Sequence, residues 1–142
     1  MFMGEFHHNI DEKGRLIIPS KFRYELGEKF IVTRGLESCL FIYSVEELNN
    51  IINKLKELPF TSKDARTFMR MFLSGATECE IDRNGRINIA SPLINYASLI
   101  KECVIIGVND RLEIWAQEKF DEFFNSNIEN FSDIAENLFS AC

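Results

Sequence analysis

No apolar stretch in these 142 residues approaches the roughly 18 needed to cross a bilayer as a helix, so a membrane-spanning helix is not expected. Prolines number only three (Pro19, Pro59, Pro92), as in an ordinary globular protein. The four cysteines (Cys39, Cys79, Cys103, Cys142) stand far apart, with no Cys-x-x-Cys pair. The N-terminal MFMGEFHHNID has neither a cationic leader nor a long apolar core. Free, mostly buried thiols in a reducing cytoplasm are the expectation. With Cys142 as the last residue, a prenylation box is not expected either. Walker A, G-x-S-x-G, H-E-x-x-H and dinucleotide fingerprints are all absent. The only histidines, His7 and His8, are adjacent, so on a strand they face opposite ways and have no acid or thiol at ligand spacing. No catalytic residue, metal, cofactor or small-molecule substrate is expected.

What is present is an ordinary globular composition, 46% hydrophobic and 27% charged, in which 13 phenylalanines read mainly as packing residues. The net charge of −6 runs against an anionic partner, but its placement matters more than its sum. Residues 116–142 carry Glu118, Asp121, Glu122, Glu129, Asp133 and Glu136 against Lys119, a net −5. Residues 54–75 carry Lys54, Lys56, Lys63, Arg66 and Arg70 against Glu57 and Asp64, a net +3.

The dominant feature is a repeat. Asp11-Glu12-Lys13-Gly14-Arg15 returns as Asp82-Arg83-Asn84-Gly85-Arg86 at an offset of 71. The offset becomes 72 from Gly35/Gly107 through Leu40/Leu112, Tyr43/Trp115 and Glu46/Glu118. A repeat of this length predicts a two-fold pseudo-symmetric body whose halves share one core. Each half reads as a strand, a tight turn, a β-prone run, a short helix, two strands and a helix. Ser20 is the expected N-cap of the first short helix, and Ser44-Val45-Glu46-Glu47 is a capping box. Pro59 ends that second helix, and Ser62 caps another with Ala65, Phe68, Met69, Phe72 and Leu73 as its stripe. That stripe reads as core or subunit interface, in a connecting segment with no expected counterpart after the second repeat. The expected division is 1–53 first repeat, 54–75 helical connector, 76–124 second repeat and 125–142 acidic tail. Within the tail, 130–139 reads as a terminal amphipathic helix or a frayed end.

The duplicated turn carries the functional expectation. Asp at its first position accepts backbone N–H groups, and Gly at its fourth takes the positive φ that closes a type I turn with a bulge. One reading is architectural, with the arginine reaching back to the aspartate. The other uses Arg15 and Arg86, helped by Lys13 and Arg83 at the tips, to grip phosphates or to pair with guanine edges through the planar guanidinium fork. A calcium loop is excluded: its twelfth positions would be Phe22 and Leu93, and Lys13 or Arg83 would oppose the cation. Asp11 and Asp82 each have an arginine four residues on, which depresses a carboxyl pKa and suits it poorly to general-acid work.

With Met1-Phe2-Met3-Gly4, the run Gly14-Arg15-Leu16-Ile17-Ile18-Pro19-Ser20-Lys21-Phe22-Arg23, the segment Gly75-Ala76-Thr77-Glu78-Cys79-Glu80-Ile81-Asp82 and Leu112-Glu113-Ile114-Trp115, the chain resembles the MraZ family over essentially residues 1–125. The resemblance implies a mainly β fold with peripheral α-helices, built from two tandem AbrB-like swapped-hairpin units in one compact, pseudo-two-fold, barrel-like body. It implies a ring-like homo-oligomer, cytoplasmic and nucleoid-associated. It also implies a transcriptional regulator that binds short repeated elements of double-stranded DNA upstream of a division and cell wall gene cluster. Carried onto this chain, the family motif falls on Asp11 and Arg15, then on Asp82 and Arg86, with Gly14 and Gly85 shaping the turns. Lys21 and Arg23 add cations in the first half, where the second has Pro92 and Ile94, so the first half is expected to dominate at DNA. The rival expectations are an antitoxin-like or scaffold module that mainly binds protein, and an enzyme on a barrel of this type.

Overall fold

A computed structural model gives the structure of residues 1–140; Cys142 lies outside the described residues. The first half runs β1 (Phe2–Asn9), β2 (Arg15–Ile17), α1 (Ser20–Leu26), β3 (Lys29–Arg34), β4 (Leu40–Ser44), α2 (Val45–Lys56) and α3 (Lys63–Ser74). The second runs β5 (Thr77–Glu80), β6 (Arg86–Asn88), α4 (Ser91–Ala97), β7 (Glu102–Asn109), β8 (Arg111–Ala116), α5 (Gln117–Asn127), a 3₁₀ turn (Ile128–Asn130) and α6 (Phe131–Phe139). The mainly β class and the tandem pseudo-symmetric organisation are as expected.

Six strands form one antiparallel sheet in the order β1-β7-β8-β4-β3-β5, which maps onto itself when the halves are exchanged. The first strand of each half is swapped: β1 pairs with β7, and β5 pairs with β3. β2 and β6 pair separately as a two-stranded ribbon. The sheet keeps β1 and β5 as edges and is not a closed barrel.

Both faces of this sheet are covered, which explains why its central strands read as unbroken apolar runs rather than alternating ones. Phe30, Val32, Leu40, Ile42, Ile105, Leu112 and Ile114 face a core completed by Leu16 and Ile87 of the ribbon, Phe22 and Leu26 of α1, and Leu93 and Ala97 of α4. On the other face Ile31, Phe41, Tyr43, Val104 and Trp115 meet Leu48 and Leu55 of α2, Phe72 of α3 and Phe120 of α5. Six of the 13 phenylalanines are buried. The packing reading therefore holds for the sheet and for Phe72 and Phe120 of the helices, and fails at Phe60, Phe68, Phe123, Phe124, Phe131 and Phe139, which are exposed.

The capping expectations hold where a hydroxyl can reach back: Ser44 Oγ accepts from Glu47 N at 3.2 Å, and Ser62 Oγ from Ala65 N at 3.2 Å. Ser20 does not cap α1. It is the first helical residue, the cap position is Pro19, and no side chain bonds there. α3 is held to the sheet by Thr33 Oγ1, which donates to Phe72 O at 2.5 Å, and by Arg34 Nη1, which donates to Met71 O at 2.7 Å. The expectation that this segment lacks a counterpart is corrected: each half ends in two helices, and α6 follows α5 as α3 follows α2. The repeat register also needs correction. Arg34 lies opposite Leu40, and Gly107 lies opposite Leu112, so Gly107 stands in the place of Arg34 rather than of Gly35.

Cys39, Cys79 and Cys103 are unpaired and buried, and burial pushes the Cys39 thiol up to about 12 and Cys103 to about 11. The one buried carboxylate among the described residues, Glu113, accepts from Arg111 Nε at 2.9 Å and from Trp115 Nε1 at 3.0 Å. Gly107 is required by the swap: a Cβ there would lie 2.3 Å from Met3 N on β1. Gly107→Ala is therefore expected to lower stability by about 1–3 kcal/mol, the usual range for overpacking, measured by urea unfolding.

Candidate nucleic-acid interface

The two turns are built alike, bond for bond. Asp11 Oδ1 accepts the backbone N–H of Lys13 and of Arg15, each at 2.9 Å, while Arg15 Nε donates to Oδ2 at 2.7 Å. Asp82 Oδ1 accepts from Asn84 N at 2.8 Å and Arg86 N at 2.9 Å, while Arg86 Nε donates to Oδ2 at 3.0 Å. Gly14 N and Gly85 N close the turns on Asp11 O and Asp82 O, both at 3.0 Å. Their φ angles are 81° and 78°, a region that side chains disfavour, which explains glycine at the fourth position. The halves then clasp: Ile18 N donates to Gly85 O at 2.9 Å, and Ile89 N donates to Gly14 O at 2.8 Å. Each turn is thus fixed by the strand end of the other half.

Arg15 and Arg86 do reach back to their aspartates, as the architectural reading has it, but only through Nε. Among the described residues neither gives a terminal NH₂ to another protein acceptor, and both side chains stay partly exposed, at 34% and 26%. The ribbon register then places them together. Arg15 lies opposite Asn88, and Ile17 lies opposite Arg86. Side chains alternate along a strand, so with Leu16 and Ile87 turned into the core, Arg15, Ile17, Arg86 and Asn88 share the outer face. Ile17 and Asn88 were missed in the sequence; their place two residues from an Asp-x-x-Gly-Arg arginine, within an alternating run, was the available signal.

The accessory cations separate. Lys13 and Arg83 are exposed at the turn tips but are not equivalent: Asn84, not Arg83, repeats the backbone bond that Lys13 makes. Lys21 Nζ lies over the Phe6 ring of β1, 5.9 Å from its centroid. Arg23 Nε donates to Ile18 O at 2.9 Å, and its guanidinium packs on Gly85, where a Cβ would come within 2.2 Å of it. Its counterpart Ile94 packs in the same way on Gly14. The swap thus delivers the first half's extra cation to the second turn. Arg23 against Gly85 and Arg86 on Asp82 flank the second turn, with Arg83 exposed at its tip, whereas Lys13 and Arg15 of the first turn stand beside Asp11 and Glu12 in the sequence. The premise for dominance of the first half does not survive this geometry.

Backbone N–H bonds from Arg15 and Arg86, the largest cause in each turn, together with those from Lys13, Asn84 and the arginine side chains, hold the Asp11 and Asp82 carboxyls below the ordinary value of 3.8. A depressed carboxyl contributes stability that is present above its unfolded pKa and is lost as pH falls through the folded one. The Arg15 and Arg86 amide shifts are therefore expected to be flat through the neutral range and to move only below about pH 4, followed by ¹⁵N NMR titration. Among the described residues no three His, Cys, Asp or Glu are grouped to hold a metal ion, and no helix is long and apolar enough to cross a membrane.

A swapped ribbon, repeated turns and an internally symmetric sheet define a pair of AbrB-like swapped-hairpin units fused in one chain. A family model described as "MraZ protein, putative antitoxin-like" matches the chain twice, over residues 1–71 and 72–142. The chain belongs to the MraZ family, a family of regulator type.

Proposed function

We propose that the protein is a sequence-specific DNA-binding transcriptional regulator, acting in the cytoplasm on the nucleoid, that recognises short repeated elements upstream of a division and cell wall gene cluster. The observation that carries this reading is the common outer face of the ribbon, where Arg15 and Arg86 each keep terminal NH₂ groups available while their carboxylate partners fix them in place. A two-stranded ribbon fits the major groove, and a fixed guanidinium fork is suited to guanine O6 and N7 or to a phosphate. Lys13, Arg83 and Arg23 add positive charge beside the arginines, and Lys21 serves the backbone flanking them. The second turn contributes the greater share, because Arg23 stands beside it.

Neutralising two to four phosphates per protomer gives a salt slope of only about −2 to −4. One protomer is then a weak binder. A ring-like homo-oligomer that matches several DNA repeats gains about 10²–10⁴ in avidity. Fluorescence anisotropy with the duplex upstream of the chain's own gene, at two salt concentrations, tests this; salt-independent binding, or none, contradicts it. The exposed apolar surface of the C-terminal helices supports a second reading, an antitoxin-like module that mainly captures protein. That reading predicts salt-insensitive partner binding and no DNA shift.

A further inference from the structure

The two halves agree at the arginines of the ribbon and differ beside them. Arg15 and Arg86 are equivalent at the offset of 71, and so are Ile17 and Asn88. The scaffold does not ask for this difference. Leu16 and Ile87, at 0% and 1% exposure, supply the buried side chains of the ribbon and meet directly across it. Ile17 is 37% exposed and lies outside both core clusters. Asn88 is exposed as well, and among the described residues its side-chain amide bonds to no protein group. Its Oδ1 lies 3.4 Å from the place a Cβ would take on Gly14, so the amide rests over the first turn.

The register makes each of the two a neighbour of one arginine. Asn88 stands opposite Arg15, and Ile17 stands opposite Arg86. Directly opposed side chains are about 5 Å apart, and residues two apart on a strand about 7 Å. Base pairs stack at about 3.4 Å. The four side chains therefore fall over neighbouring base pairs. In the major groove an asparagine amide pairs bidentately with adenine, Nδ2 donating to N7 and Oδ1 accepting from N6. An aliphatic side chain makes apolar contact with the thymine methyl. Neither residue is charged, so neither adds to the salt-dependent attraction.

We infer that Asn88 and Ile17 are specificity-determining residues of the ribbon: Asn88, next to Arg15, reads an adenine, and Ile17, next to Arg86, reads the methyl group of a thymine. The inference rests on the DNA reading above and adds A·T recognition to it. Because the two residues hold equivalent places in the two halves, the halves read different bases despite their matching arginines.

Fluorescence anisotropy on the full chain tests this with the duplex upstream of its own gene and two base analogues. Deoxyuridine in place of thymine removes only the 5-methyl group, and 7-deazaadenine removes only the N7 acceptor. Each is placed at one position at a time, matched across the repeats. For the wild type, one thymine position is expected to lose about 3–5-fold per repeat on demethylation. One adenine position, within about three base pairs of it, is expected to lose several-fold. Ile17→Ala is expected to bind the thymine and uracil duplexes alike, and Asn88→Ala the adenine and 7-deazaadenine duplexes alike. Asn88→Ala is also expected to lose about 5–150-fold of its preference for A·T at that position. Circular dichroism checks that both variants remain folded.

A residue that only supports the ribbon would, when truncated, lower affinity for natural and modified duplexes together. An unchanged ratio between them in Ile17→Ala or Asn88→Ala therefore overturns the inference. So does a wild type that binds the natural duplex specifically yet tolerates every analogue. In that case loss of binding in Arg15→Ala/Arg86→Ala leaves the DNA reading standing. A wild type that binds no duplex sinks the DNA reading and this inference together.

Discussion

Arg15→Ala combined with Arg86→Ala is expected to abolish specific DNA binding and leave a folded, assembled protein. Each fork engaged with a base edge is worth about 1–3 kcal/mol of discrimination, so a protomer losing both loses about 2–6 kcal/mol, or one to four orders of magnitude in affinity. Repetition around an assembly multiplies that loss. The turns themselves survive, because Asp11 and Asp82 keep their backbone donors: Lys13 and Arg15 in one turn, Asn84 and Arg86 in the other. Surface pairs of this kind contribute little to stability, so the melting temperature is expected to stay within a few degrees. Arg→Lys at the same positions separates two roles. A lysine retains attraction to phosphate but cannot form the paired bonds to guanine, so specificity falls while salt-dependent binding persists if base edges are read. Of the single variants, Arg86→Ala is expected to cost at least as much as Arg15→Ala, since Arg23 concentrates charge at the second turn.

Leu16→Ala is the second large effect, and it acts on the scaffold. Leu16 is fully buried beneath a ribbon only three residues per strand, paired with Ile87 directly opposite. Truncating such a side chain removes its transfer free energy and leaves a cavity, about 2–5 kcal/mol in all. The neighbouring side chains Ile18, Phe22 and Ile89 are held in the same core and have little freedom to collapse into the space. Chemical denaturation is expected to show that loss. Because the ribbon carries both arginines, DNA affinity should fall with it, whereas Ile17→Ala on the outer face should leave stability nearly unchanged. Equal stability losses at positions 16 and 17 would contradict the inward and outward assignment of the ribbon.

Much of the fold was legible because each half repeats its signals. The duplicated Asp-x-x-Gly-Arg turns and apolar strand runs, and the Ser44 and Ser62 caps of the first half, each fix a local conformation through bonds that close within a few residues. What stayed hidden depends on contacts across the chain. The pairing of β1 with β7 and of β5 with β3 joins residues about 100 and about 50 positions apart, and no local pattern distinguishes a swapped hairpin from a simple one. The same swap sends Arg23 to Gly85, so a count of cations per half assigned its charge to the wrong turn. The identity of Gly35 and Gly107 suggested a register that the shorter β7–β8 loop displaces by one residue. The α6 stripe was visible as a period, but that none of its residues is buried was not.

At the candidate site, the residue types were legible and their arrangement was not. Arginine four residues after aspartate admits a closed ion pair or a braced donor, and only the side-on Nε contact distinguishes them. Pairing of Arg15 with Asn88 and of Ile17 with Arg86 then sets both guanidinium groups on one surface.

The most direct test is an anisotropy titration of the duplex upstream of the chain's own gene, comparing wild type with the Arg15→Ala/Arg86→Ala variant at low and moderate salt. Tight, salt-sensitive binding by the wild type, stronger than to scrambled duplex and lost in the variant, is the predicted result. A variant that binds that duplex as tightly as the wild type would contradict the assignment of the ribbon face to DNA.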